Sequence, residues 1–210
     1  MKIGIIWDLD GTLWDSSEQV HLAWNDYMQR HGEPKRFTRQ DCRSYCGKTL
    51  EQIAAFVFPD RDEDWRVKMV FGACDWQNKP LAEHGGELFP HLPQVLAQLH
   101  ERYHMSVVSN CGLGYIEAFF TGNHTAEFFD DYENAVRTGK GKADNIRLVM
   151  ERNGLDRAIY IGDTQGDADA SAQAGVTFIH ARYGYGKVPD AKWAVDDPAE
   201  IPAVIAEILK

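Results

Sequence analysis

Three polar groups each close a short apolar run. Asp8 and Asp10 follow Lys2–Trp7, Ser109 and Asn110 follow Met105–Val108, and Asp163 and Asp167 follow Ala158–Ile161. Residues two apart on an extended chain share a side, so Asp8 and Asp10 should converge while Leu9 turns away. Carboxylates that close resist joint ionisation. A divalent cation removes the conflict, and Asp163 from a neighbouring strand would complete its shell. An oxygen-only set with room for water suits Mg²⁺ better than a soft metal. A carboxylate beside such an ion can attack phosphorus and form an acyl phosphate that water discharges. The second carboxylate, two residues on, can protonate the leaving oxygen. Ser109 and a lysine would stabilise the transferring phosphoryl group. That lysine stands in Thr138–Asn145, TGKGKADN, where Lys140 and Lys142 both precede a helical pattern. Lys142 is preferred, because Ala-Asp-Asn-Ile follows it directly and a helix N-terminus is a natural place for phosphate.

These residues need a frame. The three apolar runs read as buried strands, with Val176–Ile179 as a fourth and Trp193–Val195 as a short edge strand. Between them lie helical patterns. His91–Arg102 carries Val95, Leu96 and Leu99 on one face, Asn145–Arg152 stops before Gly154, and Asp167–Ala174 stops at Gly175. Strand, polar turn and helix in repetition imply an α/β fold with a parallel sheet. In such sheets ligands bind outside the carboxyl ends of the strands, where the polar groups stand. One segment breaks the alternation. From Ser16 to His84 only helical patterns occur, such as Val20, Trp24, Tyr27 and Met28. Residues 16–85 are therefore expected as an all-helical insertion after the first strand, with 1–15 and 86–210 forming the core. Leu13–Ser16 and His84–Gly86 would be its linkers, the latter made pliable by paired glycines.

Four segments in order carry a family resemblance: DLDGTLWDS (Asp8–Ser16), VVSN (Val107–Asn110), KADN (Lys142–Asn145) and IGDTQGDADAS (Ile161–Ser171). Together they resemble the motifs of the haloacid dehalogenase-like hydrolases, most closely the phosphoglycolate-phosphatase-like branch, because DGTLxDS directly precedes a helical insertion. The resemblance implies a Rossmann-like core with a helical cap and a Mg²⁺-dependent phosphatase acting on a small phosphomonoester, phosphoglycolate-like or a sugar phosphate. It assigns Asp8 as nucleophile and metal ligand. Asp10 would be general acid and then base, binding the metal through its backbone carbonyl. Ser109 and the amide of Asn110 would hold the phosphoryl oxygens, with Lys142 neutralising them. Asp163 would ligate Mg²⁺ and Asp167 would support it directly or from behind. Gly11 and Thr12 would shape the phosphate loop. Lys48, in Cys46–Leu50, resembles a cap loop that reaches into the site. A phosphosugar mutase would share every core motif, and a phospho-accepting signalling module is the alternative from another class. Against the latter stand the insertion and the Asp8/Asp10 pair, since a switch should keep its phosphate.

Composition narrows the field further. Lys and Arg number 22 against 32 Asp and Glu, a net charge of -10, and no basic stripe offsets it, so no nucleic-acid or anionic-lipid partner is expected. No run of ~18 apolar residues offers a membrane span, and the opening residues lack a signal-peptide pattern. The four cysteines form no CxxC unit, which argues against zinc and for reduced thiols in a cytoplasm. A monomer or homodimer is expected. Ala143, where a P-loop needs Ser or Thr, excludes a nucleotide P-loop reading of the Gly/Lys stretch.

Overall fold

A computed structural model describes all 210 residues. The apolar runs form a six-stranded, wholly parallel sheet in the order β5-β4-β1-β6-β7-β8. Its strands are β1 (Ile3–Trp7), β4 (His104–Ser109), β5 (Asp131–Asn134), β6 (Arg157–Gly162), β7 (Thr177–Ala181) and β8 (Ala194–Val195). The central β1 is buried from Gly4 onward, as the unbroken apolar run requires. In register, Trp7 sits beside Val107 of β4 and Ile161 of β6. The chain leaves β1 for β4 on one side and later returns to β6 on the other. The sheet therefore switches direction between β1 and β6, at the place where open α/β sheets bind ligands.

Helices cover both faces. On one, α8 (Lys142–Arg152) and α9 (Gln165–Ala174) pack Ile146, Val149 and Ala170 against Ile6, Val108 and Tyr160. On the other, α5 (Leu92–His100), α6 (Tyr115–Gly122) and α10 (Ile201–Ile208) bury Leu96, Phe119 and Ile205 in a larger cluster with Ile5, Trp7 and Ile159. Two short helical pieces, α7 (Ala135–Thr138) and the turn at Ala126–Phe128, complete the connections. No helix is long and apolar enough to cross a membrane. The strand β5 has no counterpart in the sequence reading. Its residues, DYEN, are polar, and Glu133 is buried there only because Arg137 and Arg152 pair with it.

The stretch after β1 is helical as expected: α1 (Ser17–Arg30), α2 (Arg39–Tyr45), α3 (Leu50–Val57) and α4 (Glu63–His84). The last three begin on Thr38, Thr49 and Asp62, whose side chains accept from the third residue onward; the two threonines form capping boxes. Its linkers are more ordered than free hinges. Trp14–Asp15 (β2) pairs antiparallel with Glu87–Leu88 (β3), so the two crossings form one ribbon. Gly86 lies so close to the indole of Trp14 that a Cβ would stand 2.6 Å from it. Trp14 is fully buried, edge-on to Tyr115 and Phe119 of α6. The insertion also leans on α6 through α4, where Asn78 Nδ2 donates to the Leu113 carbonyl at 2.8 Å.

Candidate active site

Asp8 directly follows β1, and its amide still donates to Ile161 O at 2.8 Å. This last rung of the β1–β6 ladder fixes the Asp8 backbone beside Asp163, which follows β6. Asp167 lies one turn into α9, whose N-cap Thr164 forms a capping box with it. Oxygens of Asp8, Asp163 and Asp167 lie within 4.8 Å of one another, all buried. Lys142, the first residue of α8, reaches them: its Nζ donates to Asp8 Oδ1 at 2.8 Å and to Asp167 Oδ1. Lys140 is exposed, so geometry selects Lys142 from the two lysines of the motif.

Burial and crowding set the charges. Asp8 is pushed up to about 8, chiefly by burial and then by Asp167, with Lys142 pulling the other way. Asp163 is pushed up to about 7 by burial and Asp167, against the amides of Tyr185 and Gly186 that donate to its Oδ2 at 2.8 and 3.0 Å. Burial opposes the charge of Lys142, but Asp167 and Asp8 outweigh it and hold its pKa well above the ordinary value. One ammonium faces three carboxyl groups, so the cluster carries more negative charge than the chain neutralises. Asp163 Oδ1 is buried without a partner, and the Asp10 carbonyl accepts no backbone hydrogen bond. An excess of hard oxygen donors with unsatisfied lone pairs fits a divalent cation such as Mg²⁺. Both Asp167 oxygens are already engaged, by Lys142 and Thr164.

The Asp10 carboxylate stands apart from that cluster. The strand ends at Trp7, and Gly11 at φ +78° turns the chain back, so the two-residue alternation no longer applies. A Cβ on Gly11 would lie 2.5 Å from Asp163 Oδ2, so only glycine allows this turn beside that carboxylate. Asp10 Oδ1 instead accepts from Ser16 Oγ and Tyr115 Oη, each at 2.8 Å. Burial raises its pKa against those two hydrogen bonds. The expected convergence of the Asp8 and Asp10 side chains thus gives way to one of Asp8 with Asp163 and Asp167. Thr12 is fully buried behind the turn, and its carbonyl accepts from Tyr183 Oη.

Beyond Asp10 opens a pocket of about 80 Å³ between core and insertion, lined by Ser109, Asn110 and Lys48 among others. Asn110 Nδ2 donates across it to the Gly47 carbonyl at 3.0 Å. Lys48 lines the wall, but its ammonium donates to Ser44 O at 2.7 Å rather than pointing to the carboxylates.

Comparison with known proteins agrees with this geometry. A family model described as haloacid dehalogenase-like hydrolase matches residues 5–181. The chain belongs to the haloacid dehalogenase-like hydrolase family. Among curated relatives, a phosphoglycolate phosphatase of Rhodobacter capsulatus is 28% identical, over 90% of this chain and 88% of that protein. One of Vibrio parahaemolyticus is 24% identical, over 96% and 95%. Among solved structures, a haloacid dehalogenase-like hydrolase of Streptococcus pneumoniae superposes with a TM-score of 0.82 at 23% identity, covering 97% of this chain and 98% of that one. CbbY of Rhodobacter sphaeroides, solved with xylulose-(1,5)-bisphosphate, gives 0.76 at 20%, covering 95% and 96%.

Several residues of the hydrolase's site escape the sequence reading. Thr164 carries a signal, since Thr-x-x-Asp is a capping pattern. Gly184-Tyr-Gly186 carries a weaker one: a Cβ at either glycine would press on the Asp163–Thr164 segment, and the loop's amides hold Asp163. Tyr115 and Ser16, which hold Asp10, have none, because a tertiary contact alone brings them there. Asp15 likewise becomes visible only in the fold, where Arg39 and Arg43 of α2 close on it; against its burial, hydrogen bonds from Arg43, Ser17 and Tyr185 hold its carboxyl well below the ordinary range.

Proposed function

We propose that this hydrolase is a Mg²⁺-dependent phosphomonoesterase acting on a small phosphorylated metabolite through an aspartyl-phosphate on Asp8. The observation that carries the reading is the asymmetry of Asp8: Lys142 holds Oδ1, while no hydrogen bond engages Oδ2. An oxygen so oriented and unpaired is a competent nucleophile toward phosphorus. Residues Asp8 and Asp163, with the Asp10 carbonyl, would hold the cation, and Asp167 would brace Asp8's partner Lys142. When bound, the cation would supply positive charge to the phosphoryl oxygens and lower the repulsion between them and Asp8.

In the first half-reaction Asp8 Oδ2 bonds to phosphorus as the ester P–O bond breaks, and protonated Asp10 gives its proton to the departing alkoxide. In the second, Asp10 as carboxylate takes a proton from water, whose oxygen attacks the aspartyl-phosphate. Phosphate leaves and Asp8 is restored. The raised pKa of Asp10 suits the first role, and its fixed bonds to Ser16 and Tyr115 keep it in place for both. Lys142, Ser109 and the Asn110 amide would counter the charge on the phosphoryl group, with Gly11 and Thr12 shaping the turn beneath it. Residues 16–85 would act as a cap over a core of 1–15 and 86–210, closing on the paired ribbon of β2 and β3 to exclude water. Relatives named phosphoglycolate phosphatase and a structural neighbour solved with a sugar bisphosphate support the substrate class. Phosphate release from a panel of small phosphomonoesters, with and without Mg²⁺, tests the reading. Release that needs the cation is expected; no release from any ester contradicts it.

A further inference from the structure

Resting on that reading, we infer that the leaving-group pocket takes an uncharged, hydroxyl-bearing alcohol and rejects an alcohol that carries a carboxylate. In an in-line displacement the leaving oxygen departs on the side away from Asp8. Asp10, the acid that protonates it, lines the pocket between core and insertion, so the alcohol lies there.

The wall of that pocket is largely apolar. Val20, Trp24, Leu50 and Ile53 are buried in it, beside the thiols of Cys46 and Cys111. Lys48 is the one cationic side chain among the lining residues, and its ammonium is turned to a backbone carbonyl. Its Nζ donates to Ser44 O and lies 5.9 Å from the centre of the Phe56 ring. Arg43, on the preceding helix, is bound to Asp15 and lies over the Tyr185 ring at 5.4 Å. A carboxylate entering this space would leave water for a largely apolar wall, with Asp10 beside it, while the one ammonium of the lining is turned to a backbone carbonyl. Burial of an unpaired charge is strongly unfavourable.

A hydroxyl meets the opposite reception. Asn110 Oδ1 is buried without a hydrogen-bond partner, and the donation of Nδ2 to Gly47 O fixes which way the amide faces. An acceptor so placed asks for a donor. A hydroxyl supplies one, whereas an ionised carboxylate has none and would leave the amide oxygen unsatisfied. The pocket's volume of about 80 Å³ restricts the choice to compact groups.

The test compares two esters on one skeleton, 2-hydroxyethyl phosphate and 2-phosphoglycolate, which differ only in a terminal CH₂OH against a carboxylate. Both are assayed with the full chain and Mg²⁺, and p-nitrophenyl phosphate reports the basal chemistry. The expected result is a kcat/KM at least tenfold higher for the hydroxyethyl ester. A smaller ratio, or a preference for 2-phosphoglycolate, overturns the inference while leaving the phosphatase reading intact. So does turnover of p-nitrophenyl phosphate with neither small ester hydrolysed. If none of the three is hydrolysed, the phosphatase reading falls and takes the inference with it. In Asn110→Leu the advantage of the hydroxyethyl ester over ethyl phosphate should shrink at least fivefold. An unchanged ratio would contradict the role given to Asn110 Oδ1.

Discussion

Around Asp8, charge is dense, and one ammonium and a few donors hold all but two of the carboxyl oxygens. Lys142 bridges Asp8 and Asp167, Thr164 takes the other oxygen of Asp167, and two backbone amides hold Asp163. Past Asp10, the pocket wall is Val20, Leu50, Ile53 and a Lys48 turned to the end of α2. The first region is supplied by the sheet core, at the ends of β1 and β6, the starts of α8 and α9 and the loop after β7. The second is supplied mostly by the insertion. The difference separates two tasks. Ionic groups that must act together are fixed by the sheet, whose register leaves little freedom. The apolar groups that would meet the alcohol sit on α1–α3, which can vary without disturbing the chemistry, and Asn110 joins them from the end of β4.

The largest expected effect lies in the ionic region. Asp8→Asn should lower kcat by about 10⁴-fold or more, since the amide keeps the shape but cannot attack phosphorus. Steady-state phosphate release measures this, with circular dichroism to show the fold retained. Asp10→Asn should lower kcat/KM, which reports the first half-reaction, by about 10³-fold with an alkyl phosphate, within the range for general acid catalysis. The loss should be clearly smaller with p-nitrophenyl phosphate, whose leaving group needs no proton. Equal losses would remove Asp10 from the role of acid.

Lys142→Met should destabilise the metal-free protein by about 3 kcal/mol or more, because it strands Asp8 and Asp167 without their cation. Urea unfolding checks this. The same reasoning sets a pH dependence. Folded Asp8 and Asp163 titrate near 8 and 7 against an ordinary 3.8. Between those values the folded state holds more protons than the unfolded one, so stability falls as pH rises through that window. Asp15, held below its ordinary value, gives the opposite slope, but only in more acidic solution. Metal-free Tm should therefore be lower at about pH 8.5 than at about pH 5.5, and saturating Mg²⁺ should narrow the gap. The smallest effect belongs to the pocket wall. Lys48→Ala should change kcat/KM less than about threefold for any ester, as expected of a loop lysine turned back to the Ser44 carbonyl of α2. A loss confined to carboxylate-bearing esters would show that the ammonium swings inward.

Much of the ionic region is legible in the sequence because each residue ends a recognisable element. Apolar runs stop at Asp8 and Asp163, and a helix begins at Lys142, so their meeting follows from the parallel topology. Asp10 is read less well, because alternation holds only while the strand lasts and Gly11 ends it. The edge strand β5 stays hidden because Asp-Tyr-Glu-Asn forms no apolar run, and its two acidic residues are paired with Arg137 and Arg152. The direction of Lys48 is hidden for a related reason: a flexible side chain chooses among local acceptors, and Ser44 O is four residues away. Pairing of β2 with β3 joins positions 14 and 88, and short segments leave no periodicity to betray such a bond.

The central claim is that Asp8 carries the phosphoryl group. Rapid acid quench of the Asp10→Asn variant during turnover of p-nitrophenyl phosphate, followed by borohydride reduction and peptide mass analysis, tests it most directly. Without its base the variant discharges the intermediate slowly, so the acyl phosphate should accumulate. Reduction of Asp8 to homoserine is expected in the peptide that contains it, and none in the Asp8→Asn, Asp10→Asn double variant. Label on Asp163 or Asp167, or turnover with no acyl phosphate on any residue, would contradict it.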